Sequence, residues 1–257
     1  MKVSVVIPAY NEEPYIAACI ESLLNQEEPA YEIIIVDNNS TDKTKEIAEK
    51  YSVKIVSEKK QGITFARNKG FELATGDIIA RTDADTRVRK DWIKKIKEHF
   101  KDKDLLGLSG TIFFYDLPLT QYSNWPTTLI LKSINSILGH DALFGPNMAI
   151  RKSAWQLVKD EICLDDKKVH EDIDLAIHLS YHGKIIFDKD LIVDSSPRRW
   201  KKMKPYFEYP YRYIKMLRFH KKPLIHINAQ KSFNNMGKAL NNVRKNSLNQ
   251  ISNIIKL

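Results

Sequence analysis

Cysteine, long apolar runs and glycine at the first loop are all scarce in this chain of 257 residues. Its two cysteines, Cys19 and Cys163, exclude a disulfide framework and a thiolate zinc site. Both lie in apolar periodic stretches and read as small buried hydrophobes in a reducing compartment. No window approaches the ~20 apolar residues that span a bilayer. The N-terminus MKVSVVIPAYNEE carries one Lys and a short apolar run, which reads as a first strand and not as a signal peptide. A cytoplasmic location is expected. The turn after that strand, Pro8-Ala9-Tyr10-Asn11, has no glycine. That argues against a nicotinamide-binding G-x-G-x-x-G and against the glycine-rich loop with which a nucleotidyltransferase normally begins.

Acidic residues nearly vanish from the end of the chain. From Arg198 onward there are fifteen Lys/Arg and one acid, Glu208, whereas the part before it holds 26 basic and 31 acidic residues. The formal net charge of +9 is therefore concentrated at the C-terminal side. Such asymmetry suggests an anionic partner (lipid headgroups, an acidic glycan or nucleic acid), and a solvated basic face explains it equally well. The rest is ordinary: 43% hydrophobic and 28% charged residues suit a soluble globular protein. The length suits one large α/β domain with extensions, or two small ones.

Apolar runs and helical stripes alternate through the first 85 residues. Val3–Ile7 and Glu32–Val36 are continuous apolar runs, as expected of parallel strands covered on both faces. Val53–Ser57 and Ile78–Thr82 supply a third and a fourth. Between them, Ile16, Cys19, Ile20, Leu23 and Leu24 form a helical stripe, with Asn11 placed to cap that helix. Gly62 opens a later helix that runs through Ala74, and Gly76 is placed to close it. Four such alternations predict a parallel sheet with right-handed crossovers, whose ligands bind beyond the carboxyl ends of the strands. The polar clusters Pro8–Glu12, Asp37–Asp42 and Thr82–Asp85 all fall at that edge. Further on, the pattern predicts strand over Leu105–Tyr115, a helical stretch over Tyr122–Leu138 and a kinked strand over Phe144–Ile150. A helix over Glu171–His182 and two short strands, Ile185–Phe187 and Leu191–Val193, follow.

Asp83-Ala84-Asp85 is the sharpest single signal. Strand residues alternate faces, so carboxylates at i and i+2 can point the same way and offer hard oxygens to Mg2+ or Mn2+. An isolated D-x-D is as readily a polar turn.

SVVIPAYNEE, IIIVDNNSTD, GITFARNKG, the DAD at 83–85 and HEDIDL at 170–175 together resemble the family 2 glycosyltransferases of GT-A fold, over roughly residues 1–200. The resemblance implies an α/β fold: a Rossmann-like, mostly parallel mixed sheet flanked by helices, with a basic helical C-terminal extension. Its domains would be 1–200, split into a nucleotide-binding half (1–100) and an acceptor half (101–200), followed by 201–257. It also implies inverting transfer from a nucleotide-sugar, UDP- more than GDP-linked, to a hydroxyl of a glycan or lipid-linked glycan. Carried over by motif, Pro8, Ala9, Tyr10 and Glu12 would line the base and ribose pocket. Asp37 would hold the nucleobase, where the family more often adds a second acid at the place of Asn38. Asp83 would meet the ribose, Asp85 would ligate Mn2+ or Mg2+, and Arg67 would support the nucleotide. Asp172 would be the general base, kept ionised by its place at a helix start. Glu171, Asn147 and Trp200 would face the donor or acceptor sugar.

Ser196-Pro197-Arg198-Arg199-Trp200 resembles the xxxRW motif of processive members, with Ser196 where those carry Gln. Arg199 would reach the diphosphate. Tyr206–Phe219 interleaves aromatics with Lys and Arg. It reads first as a helix docked on the catalytic domain and second as an anionic-membrane contact through 201–222, on the inner face of the membrane. No nucleic acid partner is expected.

Overall fold

The computed structural model describes residues 1–115, 134–135, 138–166, 168–199, 215 and 220. The predicted helix over Tyr122–Leu138 lies mostly outside them, as do Trp200 and nearly all of the basic segment. Two compact units are present, Met1–Arg218 and Phe219–Leu257. Everything that follows concerns the first.

The elements alternate as the apolar pattern predicts. They are β1 (Val3–Ala9), α1 (Ile16–Leu24), β2 (Glu32–Asp37), α2 (Thr44–Ala48), β3 (Lys54–Ser57), α3 (Ile63–Leu73) and β4 (Ile78–Arg81). Then come β5 (Thr86–Val88), α4 (Trp92–His99), β6 (Leu105–Phe114), β7 (Met148–Arg151), α5 (Lys152–Val158), α6 (Glu171–Ser180) and β8 (Lys184–Ser195), closed by a 3-10 turn at Pro197–Arg199. The described strands form one eight-stranded sheet in the order β3-β2-β1-β4-β7-β6-β8-β5. The first four pair in parallel, while β7 runs antiparallel to both β4 and β6. Four GT-A-like parallel strands and a mixed second half is the expected fold class.

Strand alternation sorts the core into two layers. Val3, Val5, Ile7, Ile33, Ile35, Ile78 and Ala80 face α1 and α4, where Ile16, Ile20, Leu23, Trp92 and Ile96 meet them. Val6, Ile34, Val36 and Ile79 face α3, α5 and α6 through Phe71, Trp155, Leu175 and Leu179. Phe71 and Trp155 meet edge to face at 5.3 Å. No helix among the described residues is long and apolar enough to cross a membrane.

Several expectations need correction. Asn11 does not cap α1. It adopts a left-handed φ of 53°, and its Oδ1 accepts the Thr41 N–H at 2.8 Å, tying the β1 loop to the β2 loop. Leu24 leaves the helical stripe and is exposed. Gly76 closes no helix: α3 ends at Leu73 with Ala74 already extended. Gly76 is instead a close approach, donating to Ser4 Oγ at 2.8 Å where a Cβ would sit 2.7 Å from the same atom. Finally, the two short strands near the end are one strand, β8. The register with β6 jumps from Gly110↔Asp188 to Thr111↔Ile192, so the polar Asp188-Lys189-Asp190 segment bulges and does not end the strand.

The helix α3 lies so close to the sheet that Gly70 has no room for a side chain. A Cβ there would stand 2.2 Å from Val6 Cγ1 and 3.0 Å from Val36 Cγ2. Gly70→Ala should destabilise the fold by about 1–3 kcal/mol through overpacking, more than the ~1 kcal/mol of helix propensity it gains. Urea denaturation checks this; an unchanged or raised midpoint would contradict it.

Candidate active site

The carboxyl ends of β1, β2 and β4 open into one cleft of about 180 Å³, continuous with solvent. Pro8, Ala9, Tyr10 and Glu12 line it from the first loop and Asn38 from the second. Gln61, Gly62, Ile63 and Ala66 line it from the start of α3, and Asp83, Ala84 and Asp85 from the loop after β4. Register explains the convergence: Ala9 pairs with Asp37, Asp37 with Ser57 and Val6 with Arg81. The three polar loops therefore leave the sheet side by side. Tyr10 is 49% exposed at the cleft. Asp37 is buried, and its Oδ1 accepts the Ser40 N–H at 3.3 Å.

The first two loops are fastened to each other by backbone donors. Asn11 N–H bonds Ser40 Oγ at 3.1 Å, Glu12 N–H bonds Thr44 Oγ1 at 2.7 Å and Glu13 N–H bonds Asp42 Oδ2 at 3.1 Å. Asn38 fastens the second loop to the connection between β3 and α3. Its Nδ2 donates to the carbonyls of Glu58 and Lys60, both at 2.8 Å, while its Oδ1 accepts the Gly62 N–H at 2.8 Å. A carboxylate could make only the last of these bonds. The amide thus has a structural consequence: it shapes the wall formed by Gln61, Gly62 and Ile63.

Glu12 and Asp85 are both buried, and their carboxylates converge on one cation, Arg198. The Arg198 Nε donates to Asp85 Oδ2 at 2.9 Å and Nη2 to Glu12 Oε1, while the guanidinium lies 4.7 Å above the Tyr15 ring. Burial disfavours the Arg198 charge, but the two acids outweigh it and raise its pKa further. Hard oxygen donors already gathered around a positive group are a donor set that fits Mg2+ or Mn2+. Asp83 is half-buried and turned toward the sheet, its Oδ1 accepting from Arg81 Nη2 at 3.1 Å.

Behind the cleft lies a buried cluster of ions. Glu171, at the start of α6, accepts from Arg67 Nη1 on one oxygen and from Arg81 Nη1 on the other. Burial alone would raise the Glu171 pKa, but Arg81 and Arg67 hold it below the usual carboxylate range. Asp172, the next residue, has the opposite fate. Its Oδ2 accepts the Gly145 N–H at 2.9 Å and its Oδ1 the Ile173 N–H at 2.9 Å. Burial and then the adjacent Glu171 charge push its pKa up, against the pull of His170, Gly145 and Arg81. The helix start was expected to stabilise the ionised form, and that effect is overridden. Neighbouring carboxyls driven in opposite directions are a familiar arrangement at acid–base sites.

The structure brings Pro8, Ala9, Tyr10, Glu12, Asp83 and Asp85 together at the cleft, with Asp37 buried at its edge. It places three expected site residues elsewhere. Glu171, expected to face the sugar, is buried with its two carboxylate oxygens taken by Arg81 and Arg67. Arg67 is fully buried and held by the carboxylate and carbonyl of Glu171, the latter at 2.6 Å, and not by the cleft. Asn147 is fully buried too. Its amide donates to the Thr111 and Leu191 carbonyls at 3.0 and 2.9 Å and accepts from Trp92 Nε1 at 2.9 Å. It fills the register jump between β6 and β8 and, fully buried, does not line the cleft. The Arg199 side chain and Trp200 lie outside the described residues. Sequence reasoning missed Arg81 and Arg198. The signals were present: a charged residue ending the buried strand Ile78-Ile79-Ala80, and a second arginine beside Arg199.

Comparison with known proteins points one way. The profile of the family described as "Glycosyl transferase family 2" matches residues 4–158. The putative glycosyltransferase EpsH of Bacillus subtilis is 39% identical over 128 residues, 48% of this chain and 37% of that protein. The putative teichuronic acid biosynthesis glycosyltransferase TuaG of the same organism is 32% identical over 154 residues, 53% of this chain and 59% of its own length. The chain thus spans only part of the curated relatives it matches. The Pyrobaculum calidifontis mannosyltransferase PcManGT, solved with GDP-Man and Mn2+, superposes with a TM-score of 0.64 at 20% identity, covering 89% of this chain and 69% of that one. TarS 1–349 of S. aureus, solved with UDP-GlcNAc, gives 0.58 at 22% identity, covering 76% and 58%.

The Asn38 clamp can be tested by a single-atom change. Asn38→Asp should destabilise the protein by about 1–3 kcal/mol, because two carbonyls lose their donor and face a carboxylate. Denaturant titration at neutral pH reads the loss. An unchanged midpoint would show that the clamp contributes nothing.

Proposed function

The chain belongs to glycosyl transferase family 2, and we propose that it moves a sugar from a nucleotide-activated donor to a hydroxyl of a glycan or lipid-linked glycan, with inversion at the anomeric carbon. UDP-sugars come first and GDP-sugars second as donors; structures sharing the fold were solved with each kind. The observation that carries the reading is the pairing of Glu171 and Asp172, one carboxylate bonded by two buried arginines and the other held, among the described residues, only by the Gly145 and Ile173 N–H groups, its pKa raised by burial and by Glu171.

Each residue then has a role that its geometry supports. Pro8, Ala9 and Tyr10 border the nucleobase and ribose, with Asp37 at the base edge and Asp83 toward the ribose. Glu12 and Asp85 would hold the divalent cation. When bound, that ion neutralises charge developing on the departing nucleoside diphosphate. Arg198, already among these acids, and Arg199 next to it are suited to the diphosphate, since a guanidinium matches phosphate oxygens two at a time. Asp172 takes the proton from the acceptor hydroxyl as its oxygen attacks the anomeric carbon from the side opposite the leaving group. The basic segment after Trp200 would approach an anionic surface that carries the acceptor.

Two measurements test this reading. Calorimetry with UDP or GDP and Mn2+ should give metal-dependent binding that Asp85→Ala weakens at least about tenfold, whereas Asp172→Asn keeps binding but lowers transfer by roughly 10²–10⁴. Nucleotide binding that ignores the metal, or full turnover in either variant, would sink the assignment. The pH profile gives a second test. A base must be ionised, so the acid limb of the rate should lie above the ordinary Asp pKa of about 3.9. Glu171→Gln removes the neighbouring negative charge and should move that limb to lower pH. A limb that stays put or moves up would separate Asp172 from the step.

A further inference from the structure

We propose that Arg81 is a positioning residue that links the donor cleft to the general base, one buried guanidinium bonding Asp83 and Glu171 and lying against the side-chain-free face of Gly145. The inference rests on the reading of Asp172 as the base.

Arg81 ends β4 and is 2% exposed. A charge taken that far from water is costly unless its partners are well placed. Its three contacts point in functionally different directions. Nη2 donates to Asp83, which lines the cleft, at 3.1 Å. Nη1 donates to Glu171, the chain neighbour of Asp172. The third is a close approach and not a bond: a Cβ on Gly145 would stand 2.7 Å from Nη2, 2.9 Å from Cζ and 3.1 Å from Nη1, so the guanidinium leaves no room for a side chain there. The N–H of this same glycine bonds Asp172 Oδ2. Thr82, next to Arg81, donates through Oγ1 to the Pro146 carbonyl at 2.9 Å and pins the same loop again. Asp172 is therefore oriented from two sides, through Glu171 and through Gly145, and both routes start at Arg81. The planar fork is what makes this possible; a Lys carries the charge but not the geometry. Nor can the guanidinium move aside for a side chain at position 145 without loosening one of its two acids.

The test uses two readouts. The first, amide hydrogen exchange at Gly145, needs no substrate. Asp83→Asn should speed exchange at Gly145 by about fivefold or more, transmitted through Arg81, and should add nothing in an Arg81→Lys background, as expected for members of one coupled set. The second is kinetic. Arg81→Lys and Gly145→Ala should each lower kcat by roughly tenfold or more while the UDP affinity changes less than about threefold, and the double variant should be no worse than Arg81→Lys alone. Unchanged exchange at Gly145 in these variants, or losses in kcat that multiply, would overturn the link. If Arg81→Lys fails to fold, Asp83→Asn and Gly145→Ala decide the question by themselves. Should the wild-type protein bind no nucleotide with metal, the functional reading falls, yet the exchange experiment still tells whether Arg81 joins the cleft to Asp172.

Discussion

The buried carboxylate of Glu171, shared between Arg67 and Arg81, is the contact on which the rest of the site depends. Its partners are 104 and 90 residues away in sequence, on α3 and β4. One acid thus locks α3, the strand β4 that leads into the Asp83–Asp85 loop, and the start of α6, which carries Asp172. Buried ion pairs rarely add much net stability, since desolvation offsets the attraction, but removing one member leaves an uncompensated charge that costs about 3–5 kcal/mol. What such a pair supplies is registry: the three elements are held in one arrangement, and that arrangement sets how Asp172 lies relative to the cleft.

The same logic recurs in neutral form. Asn38 closes the second loop on the connection between β3 and α3, and Asn147 fills the place where β6 and β8 lose register, with Trp92 as its third partner. Each sits where the backbone leaves carbonyls or amides without a ladder partner, and an amide supplies both a donor and an acceptor there. The apolar layers on either side of the sheet make the fold stable. These few buried polar groups then fix the loops that the layers cannot reach.

Much of this was legible in the sequence. The parallel half followed from uninterrupted apolar runs and helical stripes, because strands buried on both faces have no other pattern to follow. The convergence of three polar loops followed from the same rule. What stayed hidden depends on pairing between distant residues. Nothing local tells that Lys184–Ser195 continues through Asp188-Lys189-Asp190; its parallel partner β6 does. Asn147 and Arg67 look like site residues because both are polar and lie in functional motifs, and only burial reveals that they serve the scaffold. The helix-start argument for Asp172 failed for a related reason. A macrodipole is a modest, local effect, and burial beside Glu171 outweighs it.

Charge placement along the chain takes on meaning at the cleft. Upstream of Arg198 acids outnumber bases, and beyond it bases prevail almost without exception. Arg198 is the first residue of the basic stretch, and it ion-pairs with Glu12 and Asp85 from the acidic part. Under the proposed function, carboxylates would hold a cation in the cleft and guanidinium groups would meet the phosphates. Those opposite charges can coexist only if each is paired until the ligand arrives. The Glu12–Arg198–Asp85 cluster satisfies that requirement within the protein itself. It does so at the boundary where the sheet ends and the basic segment begins, so the linear charge asymmetry becomes a local charge balance at the cleft.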